Sequence, residues 1–212
     1  MDPEEISMST ILLVTSSPRG SESLSSQIAV ELAGKIKASR PEAEVIHRDL
    51  GAAPIPHLDN VTTSAIRKAP EDRNPDEAAA AAISDGFVAE LLAADTVILS
   101  TGLINFNIYS GLKSWIDNVA RAGQTFRYTS EGPQGLATGK KVYIVLAAAG
   151  VYSEGPAAAM NHAVPYLKTV LGFMGMTEVE VVTVEGLAFS EEAAAKAIAG
   201  ARIRSDELAA AA

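Results

Sequence analysis

The chain has 212 residues, 48% of them hydrophobic and 20% charged, with a net charge of −9. That size and balance suit one α/β domain with a full core, the excess of acid disfavours a nucleic-acid partner, and no 18-residue apolar run predicts a membrane span. The absence of cysteine excludes disulfides, thiolate chemistry and Cys-ligated metals, so redox work requires a bound cofactor.

Residues 1–8 are expected to form a disordered extension and residues 9–212 a single domain, because strand-like patterning starts only after Met8. Met1–Ser7 is acidic and carries no basic-then-apolar leader, which with the lack of cysteine suits the cytoplasm. Ile11–Val14 is a short apolar run that reads as a buried strand, closing on the loop from Thr15 to Gly20. Leu24, Ile28, Leu32 and Ile36 repeat every four residues along a helix over Ser23–Lys37. Glu44–His47 reads as a second strand. Gly51 to Pro75, with Pro54, Pro56 and Pro70, reads as a long surface excursion. A helix over Glu77–Ala93 precedes a third strand at Thr96–Ser100, and Leu112, Trp115, Ile116 and Val119 mark the next helix. Lys141–Ala147 is the fourth strand, Ala157–Leu171 a helix, Glu178–Val184 the fifth strand and Glu191–Ala210 a closing helix. The alternation predicts a parallel five-stranded sheet between two helical layers, an α/β three-layer sandwich. Its strand spacing fits the order 2-1-3-4-5.

Ligands of such sheets bind beyond the carboxyl ends of the strands, at the topological switch point. Three loops are expected there. The first, Ser16 to Ser25, offers hydroxyls and free N–H groups at a helix start, which suits a phosphate. It is neither G-x-G-x-x-G nor G-x-x-x-x-G-K-[ST], which disfavours a dinucleotide fold or an NTPase. Ser23 and Ser25 can equally be plain helix caps. The second loop, Gly102–Ile108, sets Phe106 and Asn105 where they can stack on and bond to a flat heterocycle; a turn in which Asn105 or Asn107 bonds its own backbone is the alternative. The third, Ala147–Tyr152, is built of small residues that admit a ligand close to the backbone. His47, His57 and His162 lack metal-ligand spacing, so no metal is expected.

A longer pattern joins these loops. Asn105–Phe106–Asn107–Ile108, Leu112–Lys113, Ala120–Arg121–Ala122–Gly123, Thr125–Phe126–Arg127–Tyr128–Thr129 and Gly132–Pro133 resemble the signature block of the flavodoxin-like FMN-dependent NADH-azoreductases and NAD(P)H:quinone oxidoreductases. Arg48–Asp49–Leu50, Thr138–Gly139–Lys140–Lys141, Leu171–Gly172–Phe173–Met174–Gly175 and Glu185–Gly186 extend it, so that the likeness runs from Met8 to about Ala199. The resemblance implies a flavodoxin-like fold, a homodimer with one FMN per subunit, and ping-pong hydride transfer from NADH or NADPH through the flavin to a quinone or azo compound. It also implies that Ser17, Ser23 and Ser25 bind the phosphate with the Leu24 backbone. Leu103, Ile104, Asn105 and Phe106 would flank the isoalloxazine, and Ala147, Ala149 and Gly150 its pyrimidine edge. Tyr128, a candidate proton donor alongside water, and Phe173 would line the substrate side across the interface, where Trp115 and Phe126 are also expected.

Two stretches depart from the family pattern. Gly102–Leu103–Ile104 replaces Pro-Met-Tyr, and Ala147–Ala148–Ala149–Gly150 replaces Ser/Thr-Arg-Gly-Gly. At φ > 0 the Ala149 methyl group costs about 1–2 kcal/mol, and in a relaxed backbone its N–H can turn away from the flavin. Either way Ala149→Gly is expected to tighten FMN binding and raise the flavin potential, the alternative being Ala149 at φ < 0 with its N–H still on the flavin. Two other readings stand beside the oxidoreductase: a flavodoxin-like electron carrier, which the Thr125–Thr129 excursion argues against, and a cofactor-free or catalytically altered flavin-binding protein, which these departures allow.

Overall fold

The computed structural model describes residues 9–212; the extension expected at residues 1–8 lies outside the described residues. Five parallel strands, β1 (Thr10–Ser16), β2 (Glu44–Asp49), β3 (Thr96–Gly102), β6 (Lys141–Ala147) and β7 (Glu178–Val184), form one sheet in the order β2-β1-β3-β6-β7. This is the flavodoxin-like order expected from the spacing of the five main strands. β1 is buried along its whole length, because both of its faces are covered. Leu12 and Val14 point into a core with α3 (Pro75–Ala93), α4 (Ser110–Val119) and α5 (Ala163–Phe173). Ile11 and Leu13 point into a second core with α1 (Leu24–Ser39) and α6 (Glu191–Ala210). The two-residue period of a strand thus feeds two helical layers at once. Ile28, Leu32 and Ile36 of the α1 stripe are buried in that second core, and Trp115 of α4 is fully buried in the first. Trp115 is therefore core, not an interface residue.

Three segments differ from the sequence reading. The excursion after β2 contains a short helix, α2 (Asn60–Ala65), started by Asp59, whose side chain accepts the Thr62 N–H. The helix expected over Ala157–Leu171 is broken at Asn161: its Oδ1 accepts the N–H groups of Ala163 and Val164 at 3.2 and 3.1 Å, which starts α5 afresh. Between α4 and β6 a hairpin appears, β4 (Phe126–Thr129) against β5 (Gly132–Gly135). Its root is tied down. Thr125 Oγ1 donates to Val119 O at 2.7 Å, and the buried Arg121 donates through Nη1 to Ser84 and Asp85 of α3. Gly135 lies so close to the Gly175 backbone that a side chain there would overlap it.

Candidate functional site

At the carboxyl edge of the sheet the loops after β1, β3, β6 and β7 enclose a cavity of about 360 Å³, within the range of small-ligand sites. Ser17, Ser23, Leu24 and Ser25 line one end, and Leu103, Ile104, Ala147 and Ala149 line the rest, with Gly102 and Ala148. Eight of the residues expected from the sequence therefore meet in one hollow. Asn105, Phe106 and Gly150 border it without lining it.

The serine end is built for an anion. Ser17, Ser23 and Ser25 are all buried. Ser23 is the N-cap of α1 and accepts the Ser26 N–H, while its Oγ lies 3.1 Å from Ser25 Oγ. The capping reading of Ser23 is thus correct, and it does not use up the site. Among the described residues the N–H groups of Leu24 and Ser25, in the first turn of α1, find no protein acceptor. These are the orphan donors of a helix start, at the positive end of its dipole. Arg19 is the charged residue of the lining; its guanidinium is exposed and lies 3.8 Å from Glu22. Attraction for an anion therefore rests on hydroxyls and backbone dipoles.

The opposite wall is small and apolar. The loop after β6 is clamped by the one after β7: Gly186 N–H donates to Gly150 O at 3.0 Å, Leu187 N–H to Ala148 O at 3.3 Å and Ala188 N–H to Ala149 O at 3.0 Å. Those bonds occupy the carbonyls, whereas the N–H groups of Ala149 and Gly150 find no protein acceptor among the described residues. Glu185 holds the far side of the loop by accepting the N–H groups of Tyr152 and Ser153. Ala149 is not among the residues with positive φ, so the strain considered for it is absent. Leu187 and Ala188 also line the cavity; sequence reasoning missed them, and their position just past the fifth strand was the available signal.

The loop after β3 makes a tight turn. Ile104 and Asn107 exchange N–H···O bonds of 2.8 and 3.0 Å, with Asn105 at φ 48° and Phe106 at φ 66° between them. This is a type I′ geometry, rarely adopted by a phenylalanine. Asn107 Oδ1 accepts the Ile108 N–H, so that amide serves its own backbone. Phe106 is 41% exposed and meets Tyr152 edge-on at 6.1 Å.

Tyr128 and Phe173 are not brought to this cavity within the subunit. They flank Phe126, at ring separations of 5.6 and 4.4 Å. Phe126 and Tyr128 line a second hollow of about 410 Å³ with Leu58, Ile66, Arg67 and Arg121.

The family model for the flavodoxin-like fold matches residues 9–208. An FMN-dependent NADH:quinone oxidoreductase of Agrobacterium fabrum is 71% identical over 97% of this chain and the whole of that protein. FMN-dependent NADH:quinone oxidoreductase 1 of Rhizobium etli is 63% identical over the same shares. Among solved structures, an azoreductase from Bacillus anthracis superposes with a TM-score of 0.88 at 33% identity, covering 95% of this chain and 99% of that one. With four strand-end loops converging on one cavity, and similarity over nearly its full length, the chain belongs to the flavodoxin-like family of FMN-dependent NADH:quinone oxidoreductases.

Proposed function

We propose that the cavity holds FMN and that the chain is an NADH- or NADPH-dependent oxidoreductase acting on quinones, azo compounds or both, in ping-pong order. The observation that carries this is the pairing of two chemistries in one cavity: buried serines with unpaired α1 N–H groups at one end, and an apolar wall with two free N–H groups at the other. The first suits a phosphate dianion and the second a flat heterocycle. When bound there, FMN supplies two-electron redox chemistry between a nicotinamide donor and a quinone or azo acceptor.

The chain's own residues have simpler tasks. Ser17, Ser23, Ser25 and the Leu24 N–H would hold the phosphate. Leu103 and Ile104 would flank the ring, with the Asn105–Phe106 turn as its rim. The Ala149 and Gly150 N–H groups would meet the ring's pyrimidine edge, where fixed donors favour the more negative, reduced state. Small side chains at Ala147 and Ala148 would keep the ring close to the backbone and exclude water. Tyr128 and Phe173 would complete the acceptor's side in a homodimer, with the Tyr128 hydroxyl able to hold a proton there.

The test is spectroscopic. Purified protein reconstituted with FMN should be yellow, bleach on anaerobic addition of NADH and regain colour on addition of a quinone. A protein that takes up no FMN would sink the proposal, and colour without bleaching would favour an electron carrier. Steady-state rates with both substrates varied should give parallel double-reciprocal lines; intersecting lines would remove the ping-pong order.

A further inference from the structure

The turn that follows β2 presses on the serine loop from behind. Asp49 ends β2, and its Oδ1 accepts the N–H groups of Gly51 and Ala52 at 2.9 and 3.2 Å. Leu50, fully buried, donates its N–H to Thr15 O at 2.8 Å, and Ala53 N–H donates to Asp49 O at 2.9 Å. The turn is thereby fixed to β1 just ahead of Ser16 and Ser17. Its tip, Gly51, rests against the Ser17 main chain. A Cβ built on Gly51 would overlap the Ser17 carbonyl oxygen and lie 3.3 Å from the Ser17 carbonyl carbon and from Asp49 Oδ1. The obstruction is backbone, not the end of a flexible side chain, and Gly51 has no positive φ. Its need for glycine is therefore purely one of close approach.

Ser17 has little room to give way. Its carbonyl accepts the Gly20 N–H at 3.4 Å and its Oγ accepts the Arg19 N–H at 3.2 Å. Pushing the Ser17 peptide outward opens this turn and displaces the hydroxyl that faces the cavity. We infer that Gly51, braced by Asp49, is a positioning residue for the anion end of the cavity: its missing side chain sets Ser17 where a flavin phosphate is held. The inference rests on the FMN reading above. It reaches a residue that is not itself part of the cavity lining.

The full chain as Gly51→Ala should bind FMN about tenfold more weakly, the cost of one misplaced hydrogen bond to a charged group. Affinity for riboflavin, which lacks the phosphate, should be unchanged. Flavin fluorescence quenching gives both constants, and far-UV circular dichroism checks the fold. Asp49→Ala, which frees the turn without adding atoms, should show a smaller loss confined to FMN. Asp49→Asn keeps an acceptor oxygen and should restore wild-type binding. If Gly51→Ala does not fold, the two Asp49 variants decide in its place. Unchanged FMN binding, or an equal loss for FMN and riboflavin, overturns the positioning role. Ser23→Ala with Ser25→Ala is the control for the underlying reading. If that double variant leaves the ratio of FMN to riboflavin affinity intact, the phosphate is not at the serines. If it lowers the ratio while the Gly51 and Asp49 variants do not, only the positioning role falls.

Discussion

Ser23 does two things with one oxygen, and substitution separates them. As N-cap it accepts the Ser26 N–H; as part of the cavity wall it faces an anion site alongside Ser25. Ser23→Ala should cost about 1 kcal/mol of stability through the lost cap. Ser23→Ala with Ser25→Ala should weaken FMN by several kcal/mol at most, since hydrogen bonds to a charged group contribute about 1.5–3 kcal/mol each. Thermal unfolding of the apoprotein reads the first effect and calorimetric titration with FMN the second; an unchanged dissociation constant would mean that the phosphate lies elsewhere. Ala149 carries the opposite lesson. Without positive φ, glycine relieves no strain there and only gives the unfolded chain more freedom, about 0.4–1 kcal/mol of destabilisation. Ala149→Gly should therefore bind FMN equally or slightly more weakly and leave the flavin potential unchanged. This reverses the expectation drawn from the sequence. A spectroscopic redox titration that returned a higher potential would restore it.

At the scale of elements, α3 depends on its first turn. Asn74 Oδ1 accepts the Glu77 N–H at 2.9 Å and the Glu77 carboxylate accepts the Asn74 N–H at 3.1 Å, a capping box with Pro75 at the first helical position. Glu77 also accepts from Lys68 and from Ser64 of α2, so it joins the two helices. The Lys68 ammonium foremost, then the Asn74 N–H and the Ser64 hydroxyl, hold this carboxyl at about 2, below its ordinary 4.5. A depressed carboxyl contributes stability above its unfolded value and loses it as pH falls toward the folded one. Stability should thus drop between about pH 4.5 and 2, and Glu77→Gln, which keeps a capping acceptor, should flatten that part of the acid unfolding curve. A variant with the wild-type acid slope would contradict the assignment. The same region shows what a sequence can and cannot reveal. β6, β7 and α6 were legible to the residue because apolar periodicity and capping act locally. α2 was not: six residues capped by Asp59 lie inside a proline-rich stretch and hold their place against α3. The β4–β5 hairpin was not legible either, since four-residue strands carrying Gly132, Pro133 and Gly135 lack strand propensity and are held by Arg121 and the Gly175 contact. The serine loop was legible as hydroxyls at a helix start, and the Leu187–Ala188 wall was signalled only by its place just past the fifth strand, whereas the Gly51 contact is made through space by backbone and carries no local signature.

At the scale of the molecule, the cavity and the aromatic hairpin lie apart within one subunit. Tyr128 is 74% exposed at the end of an anchored hairpin, beside Phe126 and the half-buried Phe173. Leu58 and Ile66 add apolar surface to the hollow beneath it. A rigid arm that presents a large aromatic group to solvent is unusual on a subunit that acts alone and ordinary at a two-fold interface, where each copy offers the same patch to the other. Phe106, 41% exposed at the rim of the cavity, is a counterpart of the right character. The active unit should therefore be a dimer in which the hairpin of one subunit roofs the cavity of the other. Truncating a hot-spot aromatic at an interface costs about 2 kcal/mol or more, so Tyr128→Ala, as such a residue, should raise the dimer dissociation constant about thirtyfold. FMN affinity should change little, because Tyr128 lies outside the cavity lining, while turnover with a quinone should fall once the acceptor loses its roof. Sedimentation equilibrium of wild type and Tyr128→Ala across a concentration series, with NADH oxidation assayed at the same concentrations, separates these effects. Wild-type protein that sediments as a monomer and turns over at full rate would rule the dimer out. A Tyr128→Ala protein that stays dimeric but loses quinone turnover would instead confine Tyr128 to the substrate side.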